Sequence, residues 1–221
     1  MHNYEHLSHI KYLLRNSNTQ FDCYHNIPPK SELYIEELTK KIVIQSNSSS
    51  ILSKISRIDA DLNRTVNENN KYAIDEYRET LKKILDNKKE LQTPHLHIII
   101  HGMRDRTNKD IEVGTRNSTL ATPEITTWFI NQIKQSFKDF KIAIDEEFKG
   151  SLILEHHKHG DEFHEGFGNS INIFQIELSR TLRENHSQLI IDSFVKTAKE
   201  FEEKFCQEII LPDEQPQSQP L

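Results

Sequence analysis

Pro94-His95-Leu96-His97-Ile98-Ile99-Ile100-His101-Gly102 is the stretch on which the fold turns. A β-branched run bounded by proline and glycine reads as a buried strand over Leu96 to Ile100, ending in an imidazole and a residue that lets the backbone turn. On either side the period changes from two to about 3.6. Apolar residues recur at helical spacing in Ile74, Tyr77, Leu81 and Ile84/Leu85, and earlier in Tyr34/Ile35, Leu38 and Ile42. Downstream, Thr122-Pro123 is a cap followed by a first-turn proline, and Ile125, Trp128/Phe129, Ile133 and Phe137 continue the stripe. A last helix carries Ile190, Phe194, Ala198, Phe201 and Phe205. Short apolar runs at Phe140 to Ile144, Leu152 to Leu154 and Ile171 to Leu178 read as further strands. Parallel strands need a crossover element to return, so this alternation predicts an α/β fold. The expected form is a three-layer sandwich, a mixed, mostly parallel sheet covered by helices on both faces.

Composition narrows the functional classes. The 221 residues suit one domain, expected over 1–210, and the proline-rich segment 211–221 is expected to be a flexible tail. The net charge of −6 comes from acidic residues spread along the chain, and without a basic stripe nucleic acid is not an expected partner. No apolar run approaches the roughly 20 residues that cross a bilayer, so no membrane partner is expected. The N-terminus, Met1-His2-Asn3-Tyr4-Glu5, has no basic region leading into an apolar one. Cys23 and Cys206 lie near opposite ends without a Cys-x-x-Cys pairing, which suits free thiols in the cytoplasm.

In open α/β sheets ligands bind at the carboxyl ends of strands, which directs attention to three places. His101 ends its strand and is a candidate metal ligand; His95 and His97 share its face but lie further back, as polar positions near the strand start. Glu177 ends the run Ile171 to Leu178, where burial raises a carboxyl toward the range of a general base. Its alternative is an ion pair with Arg180 or Arg183 at a helix start. Third, Ser56-Arg57-Ile58-Asp59-Ala60-Asp61-Leu62-Asn63-Arg64 follows an apolar segment with two guanidiniums and an amide. The fork of Arg57 and Arg64 matches a carboxylate, Asn63 adds a donor, and Asp61 holds a guanidinium in place. A histidine, a base and a carboxylate clamp point to a zinc hydrolase of amides, since zinc takes two His and one carboxylate and keeps a position for water. His2, His6, His9, His25, Asp22, Glu32, Glu36 and Glu37 are the candidates for the remaining ligands.

Together with His101-Gly102-Met103, Asp110-Ile111-Glu112-Val113-Gly114-Thr115-Arg116 and Gln175-Ile176-Glu177-Leu178-Ser179-Arg180, the Ser56-Arg57 and Asp61-Leu62-Asn63-Arg64 elements make residues 31 to 184 resemble the N-formylglutamate amidohydrolase family. That family is related to zinc carboxypeptidases and aspartoacylase-like deacylases. The resemblance implies a zinc carboxypeptidase-like fold and a metal held by His101, by Glu32 at the opening of the helix at Ser31-Glu32-Leu33-Tyr34-Ile35, and by an earlier histidine. His9 is preferred for that place and His25 is its rival. The longer apolar strand and the glycines that accompany the family's first histidine have no counterpart here. The resemblance also implies that Gly114-Thr115-Arg116 loops over the cleft. His156, His157, His159 and His164 are spaced unlike any single rigid element and are expected in a charged loop. The implied activity is zinc-dependent hydrolysis of a small N-acyl amino acid or related carboxylate. Cleavage of γ-glutamyl or C-terminal amino-acid bonds, and carboxylate binding without catalysis, are the alternatives.

Overall fold

The computed structural model describes residues 3–89 and 93–206; the expected tail lies outside them. The elements in chain order are β1 (Glu5–His6), β2 (Ile10–Leu13), β3 (Thr19–Asp22), α1 (Ile35–Ser46), β4 (Ser50–Ser53), α2 (Lys71–Lys89), β5 (His95–Gly102), β6 (Ile111–Gly114), α3 (Pro123–Ser136), β7 (Ile142–Ile144), α4 (Leu152–His159), β8 (Ile171–Leu178), α5 (Arg180–Asn185) and α6 (Ser187–Phe205). One sheet has the order β3-β5-β8-β6-β7 and the other β1-β2-β4. β3, β5 and β8 run parallel, β6 is antiparallel to β8, and β7 is parallel to β6. Bridges from Gln20 to Ser49 and from Cys23 to Leu52 lay β4 alongside β3 in parallel. Phe21 N donates to Ser49 O at 3.0 Å, and Ser53 N to Cys23 O at 3.2 Å, so the two sheets form one continuous surface.

The alternation of strand side chains separates two cores. Leu96, Ile98 and Ile100 of β5 and Phe174, Ile176 and Leu178 of β8 pack with α1, α3 and α6. Ile99, Ile171 and Ile173, one residue out of phase, pack with the apolar face of α2 and with Ile153 and Leu154 of α4. This is the three-layer α/β sandwich, with four long amphipathic helices where the periodicity puts them. Thr122 caps α3 by accepting from Ile125 N at 3.4 Å, and Pro123 follows it.

On the α2 side the sheet also buries a polar cluster. Asp22 accepts from Ile51 N (2.7 Å), Gln20 Nε2 (2.8 Å), Tyr77 OH (2.7 Å) and His97 Nε2 (2.9 Å). Tyr24 OH donates to Tyr77 OH at 2.7 Å. A buried carboxylate is tolerable when it is so fully hydrogen-bonded, and these contacts fasten β3, β4, β5 and α2 together. His97 is thus a structural histidine, and His95 also lies in this layer, 3.2 Å from Gln20 Oε1.

Three expectations change. Leu152 to Leu154 opens α4 instead of forming a strand, because Ser151 in extended conformation and Gly160 at φ 92 bracket one helix of eight residues. A three-residue apolar run has too little length to set its own period. His156, His157 and His159 therefore stand on a helix, not in a loop, and His157 is buried and stacked on Tyr77 at 5.3 Å. Glu32 lies ahead of α1, which begins at Ile35 after Tyr34 takes φ 70. Phe129 stacks on Phe174 at 4.0 Å between α3 and β8, at the centre of the larger core. Phe174→Ala is expected to cost about 3–5 kcal/mol in urea denaturation without changing the secondary structure seen by circular dichroism.

Candidate metal centre and catalytic cleft

Because β3, β5 and β8 are parallel, the residues that follow or end them meet at one edge of the sheet. His25 comes three residues after β3, His101 sits near the end of β5, and Glu177 near the end of β8, directly opposite His101 in register. Glu32 N donates to His25 O at 2.7 Å, closing the loop that returns Glu32 to this edge. Ser56 Oγ donates to Pro29 O at 2.8 Å and fastens the same loop to the Ser56-Arg57 motif.

His25, Glu32 and His101 converge, with one ligand atom from each all within 4.8 Å of one another. His25 Nδ1 lies 2.8 Å from Glu32 Oε1, and His101 Nδ1 lies 3.3 Å from Glu32 Oε2. On its far side His25 Nε2 meets Asp61 Oδ1 at 2.9 Å, the carboxylate–histidine pairing that orients a ligating imidazole. Glu32 Oε2 also accepts from Gly102 N at 2.8 Å. Burial acts to raise the Glu32 carboxyl, but the His101 and His25 imidazoles outweigh it and hold it far below the usual carboxylate range. Burial likewise opposes the charged form of His25, yet Asp61 and Glu32 prevail and raise it. His101 Nε2 is buried without a hydrogen-bond partner among the described residues. Two buried imidazoles facing one ionised carboxylate, a second carboxylate behind one ring and an orphaned ring nitrogen form a donor set that fits a divalent cation such as zinc.

A cleft of about 520 Å³ opens over these residues, and Arg57, Asn63, Arg64, Met103, Arg104, Arg106, Gln175 and Glu177 also line it, as does the segment 147–151. Glu177 accepts from Gln175 Nε2 at 3.0 Å. Burial is the main force that pushes its carboxyl up to about 7, with Glu32 and Glu112 adding to the rise and His101 opposing it. Neither arginine expected as its rival partner takes it: Arg180 pairs with Glu184 at 2.7 Å, and Arg183 donates to backbone carbonyls.

The Arg-Asn cluster is in the cleft, but its members differ in what they touch. Arg57 reaches toward the centre, 3.2 Å from Glu32 Oε1 and 3.6 Å from Asp61 Oδ2. Arg64 is 70 % exposed and 3.7 Å from Asp61. Asn63 Oδ1 accepts from Ser151 Oγ at 2.6 Å, which joins the motif to the opposite lip.

His9 is not part of this constellation. It meets Glu76 of α2 through its backbone N at 2.7 Å and its Nδ1 at 3.3 Å, and His25 stands beside Glu32 and His101 instead. The reason is topological: His9 precedes β2, in the outer antiparallel sheet, whereas His25 follows the central parallel strand β3. Arg116 also departs from expectation, turning away from the cleft to pair with Glu155. Gly114 nonetheless serves the cleft, since a Cβ there would lie 2.5 Å from Gly150 N and Phe148 O, in the segment that forms the lip.

The fold is the carboxypeptidase-like three-layer α/β sandwich. A solved N-formylglutamate amidohydrolase from Ralstonia eutropha JMP134 superposes with a TM-score of 0.65 at 11% identity, covering 89% of this chain and 99% of that one. A bacteriophage poly-gamma-glutamate hydrolase gives 0.52 at 15% identity over 88% of this chain and 87% of its own. A metallo-carboxypeptidase from Burkholderia cenocepacia gives 0.54 at 13% identity over 88% and 61%. No curated protein matches the sequence. A more particular likeness lies in the sequence: the model of the N-formylglutamate amidohydrolase family matches residues 74–183. Among the described residues no helix is long and apolar enough to cross a membrane.

The raised Glu177 carboxyl has a consequence for stability. An unfolded glutamate ionises near 4.5, so as pH rises from there to about 7 the unfolded chain gives up its proton first and the folded state is progressively disfavoured. Glu177→Gln removes this penalty. In metal-free protein the variant is expected to equal the native chain below pH 4 and to exceed it by roughly 3 kcal/mol above pH 8, read from urea midpoints.

Proposed function

We propose that this chain is a zinc-dependent amidohydrolase that cleaves the amide of a small N-acyl amino acid or related carboxylate, in the cytoplasm. The observation that carries the reading is the convergence of His25, Glu32 and His101 beside Glu177 in one cleft. His25, Glu32 and His101 would hold the metal, a ligand set that replaces the one containing His9. When bound, zinc supplies a Lewis acid that polarises the scissile carbonyl and makes water acidic at neutral pH. Glu177, ionising near neutrality, takes the proton of the attacking water on its carboxylate and delivers it to the leaving nitrogen. Arg57, next to Glu32 and Asp61, places a positive charge where the carbonyl oxygen becomes negative. Arg64, with its guanidinium largely free, and Asn63 bind the substrate carboxylate.

The rest of the lining supports an acidic substrate. Arg57, Arg64, Arg104, Arg106 and Lys149 outnumber Glu32, Glu147 and Glu177 in the cleft, although the chain as a whole carries −6. Such local reversal of charge concentrates anions. The same rim favours, as second reading, cleavage of γ-glutamyl or C-terminal amino-acid bonds in a longer acidic chain. Panels of N-acyl amino acids and of acidic oligopeptides separate the two readings.

Purified protein is expected to hold about one zinc per chain by elemental analysis. Chelation and Glu177→Gln are each expected to lower amidase activity at least ~100-fold. Full activity in the Gln variant removes Glu177 from the mechanism. His25→Ala is expected to abolish zinc retention and His9→Ala to leave it intact; the opposite pattern reinstates His9.

A further inference from the structure

Arg183, on α5, does not itself line the cleft, yet its guanidinium meets the backbone beside Glu32, His101 and Glu177. It donates to Leu33 O, the residue after Glu32. Its Nη2 donates to Met103 O at 3.0 Å, two residues after His101. Its Nε donates to Leu178 O at 3.1 Å and to Ser179 O at 3.3 Å, next to Glu177. The plane lies directly on Gly102, where an added Cβ would stand 2.5 Å from Cζ and Nη1. Gly102 is the residue whose N–H binds Glu32.

Arg183 is buried, and its hydrogen bonds all go to carbonyls, none to a carboxylate, among the described residues. Burial of a cation without a contacting anion is costly, so a purely structural role would be filled more cheaply by an apolar side chain. What an apolar side chain lacks is a rigid fork of donors that spans three separate chain segments. Leu33 lies ahead of the first helical bond of α1, Leu38 N to Tyr34 O at 3.0 Å, and β5 and β8 end at Gly102 and Leu178, where the ladder stops.

We propose that Arg183 is the positioning residue of the centre: one guanidinium seated on Gly102 sets the mutual geometry of Glu32, His101 and Glu177 through the carbonyls of Leu33, Met103, Leu178 and Ser179. The metal part of this role rests on the zinc reading given above; the bracing of the three segments does not. Lysine at 183 keeps the charge but lacks the fork, and alanine at 102 drives the fork from its seat, so both variants release the same device from opposite sides.

The test is amide hydrogen exchange on metal-free Arg183→Lys and Gly102→Ala, with zinc affinity measured by chelator competition. Exchange is expected to rise at least tenfold together in peptides covering residues 31–35, 101–105 and 177–181, with α2 and α3 unchanged. Zinc affinity is expected to fall ~10–100-fold, the range seen when groups that orient metal ligands are removed. The double variant is expected to be no worse than the poorer single one, because both break one unit. Unchanged exchange at 31–35 and 101–105 in Arg183→Lys overturns the proposal, as does loss confined to α5. Native protein that binds no zinc defeats the metal reading alone, and the exchange pattern still decides the role of Arg183.

Discussion

The centre depends on an ionised carboxylate kept out of water. Glu32 is buried between two imidazoles, and a carboxylate in that position is stable only if every donor around it is in place. His25, His101, Gly102 N and Arg57 supply those donors from three different segments of chain. Their meeting requires β3, β5 and the loop after β4 to deliver their ends to one edge, and the Asp22 cluster beneath that edge fixes β3, β4 and β5 against α2. Structural and functional polarity are stacked on the same face of the sheet: Asp22 and His97 below, His25 and His101 above.

Environment sets the two glutamates apart. Glu32 and Glu177 are both desolvated, but two imidazoles hold the first ionised, while burial and neighbouring acids push the second up to about 7. The arginines divide in the same way. Arg57 is drawn into the centre by Glu32 and Asp61, Arg64 remains exposed at the mouth, and Arg183 works underneath.

The long elements were legible in the sequence because their periodicity is unambiguous. α1, α2, α3 and α6 bury one stripe each, and β5 and β8 are apolar enough to announce themselves. The strand ends gave His101 and Glu177 by the general rule for parallel sheets. The place of His25 beside Glu32 and His101 was not legible in the same way. β3 reads Thr-Gln-Phe-Asp, a polar strand whose side chains are satisfied by Tyr77, His97 and Ile51 N, so nothing in its hydropathy marks it as the central strand that leads to His25. Pairing between strands far apart in sequence settles which histidine reaches the centre, and local pattern carries no record of it. The Arg183 seat was hidden for a similar reason, since its partners are backbone carbonyls from three remote segments. Gly102 was its one visible trace.

Anomalous scattering at the zinc absorption edge, from crystals grown with one equivalent of zinc, decides which side chains hold the metal. A single peak bounded by His25, Glu32 and His101 is expected, with metal–nitrogen and metal–oxygen distances of about 2.0–2.2 Å. A peak beside His9 and Glu76, or density at the histidines of α4 with none at His101, would contradict it.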